Sequence, residues 1–283
     1  MTNFGGRTKN IVVSSIIASR PQPEAHGPDR AFDPNFATTL AHGLEVLAAF
    51  HAGEEQLSNA EIAVRVGLSR PTVTRLTHTL RELGYLRRSA KGKFGLGLRV
   101  LATAYPLLAS LHIRRLARPY MRDYAAYAGG TVSLAMPFGL DYIYIETVRM
   151  TDSIAHLPDI GFTAPLSQAA AGRALLSLYT DDELTAYVAR TKRERPHESE
   201  GVETRTLPEV ESCRARGFAM SIGEWRPEIF GVAAPLFRTP GGECVAVNCG
   251  IPAFRFSPEQ IESECGPRML GLANAIKAAA QLS

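Results

Sequence analysis

The sequence has few cysteines and no long apolar run. Its 283 residues include four cysteines, none of them in a C-x-x-C pair: Cys213, Cys244, Cys249 and Cys265. Disulfide scaffolds and structural zinc sites need closer or more regular spacing, so we interpret these residues as free thiols in a reducing compartment. No apolar stretch reaches the length of a membrane span. These absences predict a cytoplasmic protein that is not embedded in a membrane.

Signatures of common enzymes are also absent. The chain contains no G-x-S-x-G, no H-E-x-x-H, no G-x-G-x-x-G after a predicted strand and no phosphate loop ending in G-K-[ST]. We therefore expect no enzymatic activity, no cofactor and no metal. One alternative is a nucleophilic Cys249–His156 pair, although a strand cysteine is more often a small buried hydrophobe.

The first 35 residues predict a flexible tail. Residues 11–18, IVVSSIIA, follow two basic residues as a signal peptide would, but the apolar stretch is short and interrupted by serines. Residues 19–35 are rich in proline and charge and have little to bury. We interpret 1–35 as a tail that remains in the cytoplasm.

Positive charge is concentrated in one part of the chain. The whole protein has a formal net charge of +3, while residues 36–100 alone hold nine Lys or Arg residues against five acidic residues. A basic N-terminal module beside a nearly neutral one indicates a polyanionic partner for the first module only.

Residues 36–97 predict three helices and two strands. Leucine recurs at helical spacing after Thr38, SNAE at 58–61 is a capping box, and Ser69 can cap a third helix that ends at Gly84. YLRR and KFGLG then predict two short strands joined by a tight turn. This order is typical of a winged helix-turn-helix.

The third helix has one apolar and one polar face. At 100° per residue, the inward face comprises Val73, Leu76, Thr77, Leu80 and Leu83. A helix of this size fits the DNA major groove, where Arg donates to guanine and Thr methyl groups contact thymine. We predict base contacts from Arg70, Thr72, Thr74, Arg75 and His78. Thr72 lies nearer the edge of the face, His78 is equally consistent with an ordinary surface residue, and Pro71 either contacts a thymine methyl or only starts the helix.

Basic residues also occupy the predicted wing. These are Arg87, Arg88, Lys91 and Lys93, which we expect to hold phosphates and so to add affinity without sequence choice. The alternative is a charged, solvated helix in a winged module that binds protein. Basic charge on both the helix and the wing favours DNA.

The remaining chain predicts a linker helix and an α+β domain. Residues 98–112 form the linker, where Pro106 predicts a kink or two shorter helices, and 113–283 form the domain. Its predicted elements are helices at 113–128, 167–180, 181–190 and 207–216, a charged loop at 191–204, strands at TVSLAMP, DYIYIETVRM, 218–222, 230–237 and 243–250, and a final helix from Pro258. In DYIYIETVRM, Tyr142, Tyr144 and Glu146 alternate with Ile143, Ile145 and Thr147, which predicts two different sheet faces.

The segment LSQAAAGRALL predicts a ligand site. Ser167 or Gln168 can cap a helix whose first turn, 169–172, has only small side chains, so a ligand can approach the backbone. Free amides and the helix dipole suit a carboxylate there. The alternative is that the small residues only pack tightly against the sheet.

Four segments together resemble one protein family. LSNAEIAVRVGLSRPTVTRLTHTLRELGYLRR, RRLARPYMRDYAAYAGGTVSLAM, GFTAPLSQAAAGRALLS and RARGFAMSIGEWRPEIFGVAAPLF are similar, in order and spacing, to IclR-family bacterial transcriptional regulators. The resemblance implies a winged helix, a linker helix that dimerises, and a GAF-like domain that binds a small organic effector. Members are usually dimers or tetramers and repress or activate catabolic operons. The implied effector residues are Ser153, His156, Ala170, Ala171, Ser221, Ile229, Gly231, Asn248 and Gly250.

This sequence departs from the family pattern in the implied pocket. Ser167 and Ala169 replace a frequent His and hydroxyl residue, SIGEW replaces an acidic run, and Asn248 and Gly250 replace small hydroxyl residues. A pocket with fewer acids, with His156 and Arg149 nearby, would favour an anion. Trp225 and Phe230 would stack on an aromatic ring; core packing of both, and surface solvation of Arg149, are the alternatives.

These observations predict a DNA-binding regulator that responds to a small organic acid, with aromatic acids as one candidate class. A symmetric homodimer or homotetramer implies a palindromic operator on double-stranded DNA, with half-sites about 34 Å apart or a multiple of that. A protein-interaction scaffold with a degenerate winged helix is a further alternative.

Overall fold

The computed structural model describes residues 33–150, 158–239 and 241–281. The N-terminal module contains α1 (Thr38–Ala48), α2 (Asn59–Val66), α3 (Arg70–Glu82), β1 (Leu86–Arg88) and β2 (Phe94–Leu96). The two strands pair antiparallel and form the wing. A small core including Val46, Ile62, Val73 and Phe94 holds the helices against the wing. The predicted winged helix-turn-helix is confirmed.

Capping fixes the turn between α2 and α3. Ser58 Oγ accepts from the Glu61 amide at 3.2 Å, and Glu61 Oε2 accepts from the Ser58 amide at 2.7 Å. Gly67 ends α2 with φ of 68°, a left-handed conformation that other residues rarely adopt. Ser69 then caps α3 by accepting from the Thr72 amide. Local sequence therefore fixes where α2 ends and where α3 begins.

The linker is one helix, α4 (Leu98–Ser110), which runs through Pro106. Of the two predicted alternatives, a kink or two shorter helices, the second is wrong. A proline removes one backbone hydrogen bond and leaves the carbonyl four residues earlier without its donor. Ala102, which carries that carbonyl, is exposed, so water can take the place of the missing amide. The following helix, α5 (Ile113–Ala128), ends at Gly129 as predicted.

The C-terminal domain is built on a six-stranded sheet. Its strands are β3 (Thr131–Phe138), β4 (Asp141–Arg149), β5 (Thr163–Pro165), β6 (Ala219–Arg226), β7 (Ile229–Arg238) and β8 (Cys244–Pro252). The order is β5-β4-β3-β8-β7-β6 and every neighbouring pair is antiparallel. Its longer helices are α6 (Ala170–Leu176), α7 (Asp181–Glu194), α8 (Leu207–Arg216) and α9 (Gly266–Ala279), and short helical segments at Pro258–Gln260 and Ile261–Cys265 lead into α9. The predicted α+β class with an antiparallel sheet is confirmed.

Two cores lie on opposite faces of this sheet. Residues such as Met121, Val247 and Met269 pack between the sheet and helices α5 and α9. Residues such as Ala171, Leu175 and Val210 pack between the other face and helices α6, α7 and α8. We call these the α5 face and the α6 face. In the part of the chain that the structure describes, no helix has both the length and the apolar character needed to cross a membrane.

The predicted loop at 191–204 is wrong in detail. Helix α7 continues to Glu194, and short helical turns at Pro196–Glu198, Ser199–Gly201 and Val202–Thr206 lead directly into α8. Arg195 fixes these turns because its guanidinium donates to both carboxylate oxygens of buried Asp141, at 2.8 and 2.7 Å. A charged sequence is therefore ordered here by an ion pair with the β3–β4 turn.

A bulge in β4 corrects the predicted alternation of its side chains. Leu134 pairs with Glu146 and Ala135 with Tyr144, so Ile145 is an extra residue with no partner in β3. Tyr144 packs on the α6 face, while Ile145 packs on the α5 face. Glu146 also turns to the α5 face, where it meets two arginines of α5. Tyr144 and Glu146 therefore do not share a face, because a bulge shifts the period of two by one residue.

Candidate functional site

Helix α3 presents a polar face to solvent. Val73 and Thr77 are fully buried and Leu76 nearly so, as predicted. The exposed residues are Arg70, Pro71, Thr74, Arg75 and His78, with Thr72 half-buried at the edge. Leu83, predicted to face inward, is 51% exposed. It follows the last helical residue, Glu82, so the helical phase no longer governs it.

Asn59 locks α3 onto α2, and the sequence interpretation missed it. Its Nδ2 donates to Thr74 Oγ1 at 3.2 Å, and its Oδ1 accepts from Thr77 Oγ1 at 3.1 Å. One amide side chain therefore fixes a buried threonine and an exposed one on α3. The contact depends on how α2 and α3 pack against each other, which the sequence does not specify.

Charged residues of the module differ in what they already bind. Arg81 pairs with Glu82 at 2.5 Å. Within the described residues, neither Arg70 nor Arg75 forms an ion pair, and both are exposed. Two unpaired guanidinium groups on one helix face can therefore donate to a partner such as DNA without breaking an internal contact.

The wing carries four basic side chains, one of which is held in an ion pair. Arg87, Arg88 and Lys91 are exposed, and Arg87 Nε donates to the Leu96 carbonyl at 3.3 Å. Lys93 Nζ instead lies 3.3 Å from Glu61 Oε2. The pKa of Glu61 is lowered to about 2, mainly by its hydrogen bonds with Ser58 and also by Lys93. Lys93 is thus already paired with the cap of α2.

The α6 face brings together most residues of the implied effector pocket. Strand pairing places Ser221, Gly231 and Gly250 in one row and Ala233, Asn248 and Ser133 in the next. A Cβ on Gly231 would lie 3.2 Å from the Ala170 Cβ, and one on Gly250 would lie 3.5 Å from Ile229. Glycine therefore lets α6 approach the sheet closely. Ala171 is buried beside Ala170 in α6, whereas Ser153 and His156 lie outside the described residues.

Buried polar groups line the same face. Asn248 Nδ2 donates to the Tyr144 hydroxyl at 2.8 Å, and the Ser133 and Thr147 hydroxyls are 3.1 Å apart. Burial raises the pKa of Tyr144 well above its ordinary value, so its hydroxyl stays protonated. Ser133 and Thr147 were not predicted, although a serine within the apolar TVSLAM is a detectable signal. Polar side chains buried on one face of a sheet suit a site for a small polar ligand.

A row of aromatic rings extends from these polar residues. It includes Trp225, one of the two aromatic residues predicted to stack on a ligand, but not Phe230, the other. Tyr142, Tyr144, Phe162 and Trp225 follow one another with centroid separations of 5.3, 5.6 and 5.8 Å. Phe230 is different because it packs against the core on the α5 face. The expectation that Phe230 stacks on a ligand is therefore wrong, since its strand position has the opposite parity from Ile229 and Gly231.

The start of α6 differs from the prediction. Ala169 occupies the N-cap position without a side-chain hydrogen bond, and Ser167 Oγ donates instead to Glu198 Oε2 at 2.6 Å. A Cβ on Gly172 would lie 2.1 Å from the Leu166 carbonyl oxygen. At Gly172, the absence of a side chain thus allows close packing against Leu166. A cavity of about 200 Å³ lies beside this segment, lined by Ser167, Gln168, His197, Glu198, Gly201, Arg205 and Glu224.

Charged groups near the α6 face are largely neutralised. Arg149, considered as a group for an anion, donates to Asp159 Oδ2 at 2.7 Å. Buried Arg173 of α6 donates to Glu224 of the SIGEW segment at 2.8 Å and to the Met220 carbonyl at 2.6 Å. Both pairs are internal to the domain. Recognition of an acid would therefore depend on hydroxyl, amide and backbone donors more than on these arginines.

Cys249 does not support a nucleophilic site. It is fully buried and faces the α5 core, on the other side of the sheet from Asn248 and Gly250. Burial raises its pKa far above the ordinary value of a thiol. A thiol is nucleophilic only as the thiolate, so this environment disfavours catalysis by Cys249.

Comparisons with known proteins agree with both modules. Residues 39–90 match the IclR helix-turn-helix domain, and residues 106–278 match the bacterial transcriptional regulator IclR C-terminal domain. A crystal structure of an IclR family transcriptional regulator from Brucella abortus is 36% identical, with a TM-score of 0.76 and coverage of 87% of this chain and 94% of that one.

This chain is similar to two curated transcriptional regulators over most of their length. The HTH-type transcriptional regulator KipR of Bacillus subtilis is 29% identical and shares 72% of this chain and 82% of its own. The p-hydroxybenzoate hydroxylase transcriptional activator of Acinetobacter baylyi is 24% identical and shares 89% and 95%. With two family domains spanning most of the described residues, this protein belongs to the IclR family of bacterial transcriptional regulators.

Proposed function

We propose that the protein is a homodimer that reads a palindromic operator in the cytoplasm and changes its DNA affinity when it binds a small organic acid. The observation that carries the proposal is the exposed face of α3. Arg70 and Arg75 form no ion pair there with any residue that the structure describes, and the wing beside it adds Arg87, Arg88 and Lys91. An α-helix with such a face fits the major groove, where Arg donates bidentately to guanine.

The linker helix supplies the surface for dimerisation. None of the thirteen residues of α4 is buried, and Leu98, Leu101, Tyr105 and Leu107 are 64–86% exposed. A helix with this much open apolar surface is stabilised by a partner helix. Pairing of two copies gives two-fold symmetry, which implies half-sites spaced by about 34 Å or a multiple of it.

The roles of the DNA-binding residues divide by position. Arg70, Thr74 and Arg75 would contact bases, with Pro71 and His78 beside them, while Thr72 at the edge would contact a phosphate. Arg87, Arg88 and Lys91 would contact phosphates from the wing. Lys93 would contact a phosphate only by leaving Glu61.

An Arg75→Ala variant tests this division. Its affinity for a footprinted operator, measured by fluorescence anisotropy, should fall by about 5- to 150-fold, equivalent to about 1–3 kcal/mol. Affinity for a scrambled duplex of equal length should change little. The matched control is Arg81→Ala, because Arg81 lies on the same helix but is paired with Glu82. Equal losses on both duplexes would contradict base readout, and no binding to any genomic fragment would favour the protein-interaction scaffold.

The effector would bind on the α6 face of the sheet, beside the start of α6. Asn248, Ser221 and the backbone at Gly231 and Gly250 would orient it, with Ala170, Ala171 and Ile229 shaping the walls. Ser153 and His156 complete the proposed set from outside the described residues. The row of rings ending at Trp225 supports an aromatic acid as the first class to test, and one relative activates the gene for p-hydroxybenzoate hydroxylase.

A thermal-shift titration with 4-hydroxybenzoate and related small acids tests the site. A binding acid should raise the melting temperature in a concentration-dependent manner. Asn248→Leu should abolish that rise, while Cys249→Ala, its neighbour on the α5 face, should retain it. Loss of the rise in Cys249→Ala alone would place the ligand on the wrong face of the sheet.

A further inference from the structure

A half-buried arginine connects the sheet to the end of the linker helix. Arg114, in the first turn of α5, donates through Nη1 to the Leu108 carbonyl of α4 at 2.8 Å. Its Nη2 lies 3.2 Å from Glu146 Oε2 on β4. The Arg114 side chain is 18% exposed and that of Glu146 is 5% exposed. One guanidinium thus joins the linker to the effector-domain sheet in a protected environment.

The Leu108 carbonyl is free to accept this bond. It belongs to the last turn of α4, where carbonyls lack intrahelical donors. Because α4 buries none of its residues, side-chain packing within one subunit contributes little to holding it. A charge-assisted hydrogen bond at its final turn is therefore well placed to set where the linker leaves the effector domain.

The β4 bulge makes the connection pass through the sheet. Ile145, the extra residue, turns Glu146 to the α5 face. On either side of this pair, Tyr144 accepts from Asn248 and Thr147 contacts Ser133, both on the α6 face. The Thr147 amide also donates to Glu146 Oε1 at 3.2 Å. Glu146 on one face is thus joined, through the bulge and this hydrogen bond, to Tyr144 and Thr147 on the other.

A second arginine lets the connection be released without stranding a buried charge. Arg118, one turn further along α5, donates to Glu146 Oε1 at 2.6 Å and is 47% exposed. If Arg114 moves away, Glu146 keeps a cationic partner. The buried Arg114 Nε has no hydrogen-bond partner among the described residues, so the arrangement of Arg114 is incompletely satisfied. Glu146 is therefore held by two arginines at once, and among the described residues Arg114 is the one of the two that also bonds to α4.

We propose that a series of contacts transmits the state of the α6 face to the linker helix. The series starts at the Asn248–Tyr144 hydrogen bond, crosses the sheet at the β4 bulge, and continues through Glu146 and Arg114 to the Leu108 carbonyl. The proposal rests on the effector response proposed above and names the residues that position the linker. Arg114 and Glu146 are positioning residues: they touch neither DNA nor the effector. Asn248 and the Leu108 carbonyl, at the two ends of this series of contacts, are coupled because each contacts a residue that depends on the β4 bulge and the Glu146–Arg114 ion pair.

Hydrogen exchange of the full-length protein, without DNA or effector, tests this series of contacts. Peptides covering residues 105–112 should exchange several-fold faster in Asn248→Ala than in the parent. In an Arg114→Lys background that difference should vanish, since a lysine has no fork to hold both Leu108 and Glu146. Arg118→Ala is the matched control, as it contacts Glu146 but makes no bond to α4, and should preserve the response to Asn248→Ala.

Other outcomes overturn the proposal. If Asn248→Ala still speeds exchange of residues 105–112 in the Arg114→Lys background, another path carries the coupling. If Asn248→Ala does not speed that exchange even with Arg114 present, the two sites are not coupled. Exchange in α9, which should be equal in all variants, separates local loosening from global destabilisation. Glu146→Gln serves as a second variant if Arg114→Lys folds poorly. Failure of DNA binding would refute the proposed function but would leave these exchange results unchanged.

Discussion

The DNA-binding module and the effector domain hold their polar side chains in opposite ways. In the module, Arg70, Arg75 and Lys91 are exposed and available. In the domain, polar residues such as Asn248 and Arg173 are buried and already bonded to neighbours. An exposed side chain can meet a partner without altering the fold, whereas a buried one contributes to stability before it contributes to function. Substitutions in the two regions should therefore separate binding from folding.

The largest expected effect is loss of a buried ion pair in the domain. Arg195→Ala leaves the Asp141 carboxylate, 2% exposed, without its bidentate partner. We expect the free energy of unfolding to fall by about 3–5 kcal/mol, because an uncompensated buried charge remains. Urea denaturation followed by the fluorescence of Trp225, the single tryptophan, reports on this domain directly.

Arg193→Ala is the control for that prediction. Arg193 lies two positions before Arg195 in sequence and pairs with the adjacent Glu194, but it is 73% exposed. Its loss should change stability by no more than about 0.5 kcal/mol. Similar changes in both variants would break the contrast between buried and exposed charges.

Two lysines of the wing differ in the same way as the buried and exposed arginines. Lys91 is exposed, whereas Lys93 is paired with Glu61. Lys91→Ala should reduce the slope of log affinity against log salt concentration by about 0.9, the value for one phosphate contact. Lys93→Ala should reduce it clearly less, because its ion pair competes with the phosphate. Anisotropy titrations on the operator at several salt concentrations measure both slopes, and equal reductions would mean that the Lys93–Glu61 pair opens on DNA.

Local patterns allowed much of the fold to be predicted, and long-range contacts account for what was missed. Caps at Ser58 and Ser69 and the stop at Gly67 are encoded within a few residues, so α2 and α3 were predicted well. The bulge at Ile145 has no local signature, since it exists only relative to the register of β3. The pairing that orders residues 195–206 likewise depends on Asp141, more than fifty positions away.

The candidate sites were predictable to different degrees for the same reason. A regular exposed helix converts sequence into a face directly, so Arg70 and Arg75 could be selected without a structure. On the sheet, strand parity decides the face, and Phe230 was placed wrongly while Ser133 and Thr147 were overlooked. Family resemblance supplied Ala170 and Gly231, which strand pairing and packing then bring together.

The smallest change in stability is expected at an ion pair of the effector domain that is exposed, as the charges of the DNA-binding module are. Glu183 caps α7 through the Thr180 amide and accepts from Arg238 at 2.5 and 2.6 Å. Its hydrogen bonds with Arg238 and Thr180 lower its pKa from 4.5 to about 2. A carboxylate with a lowered pKa stabilises the fold above pH 4.5, and the stabilisation is lost as the pH falls from 4.5 towards 2. The difference in unfolding free energy between the parent and Glu183→Gln should therefore be present at pH 7 and shrink over that interval. Arg238→Gln should lose most of the same pH dependence, since Arg238 is the main cause of the shift. A difference that remains constant down to pH 2 would show that the charge of Glu183 contributes nothing to folding.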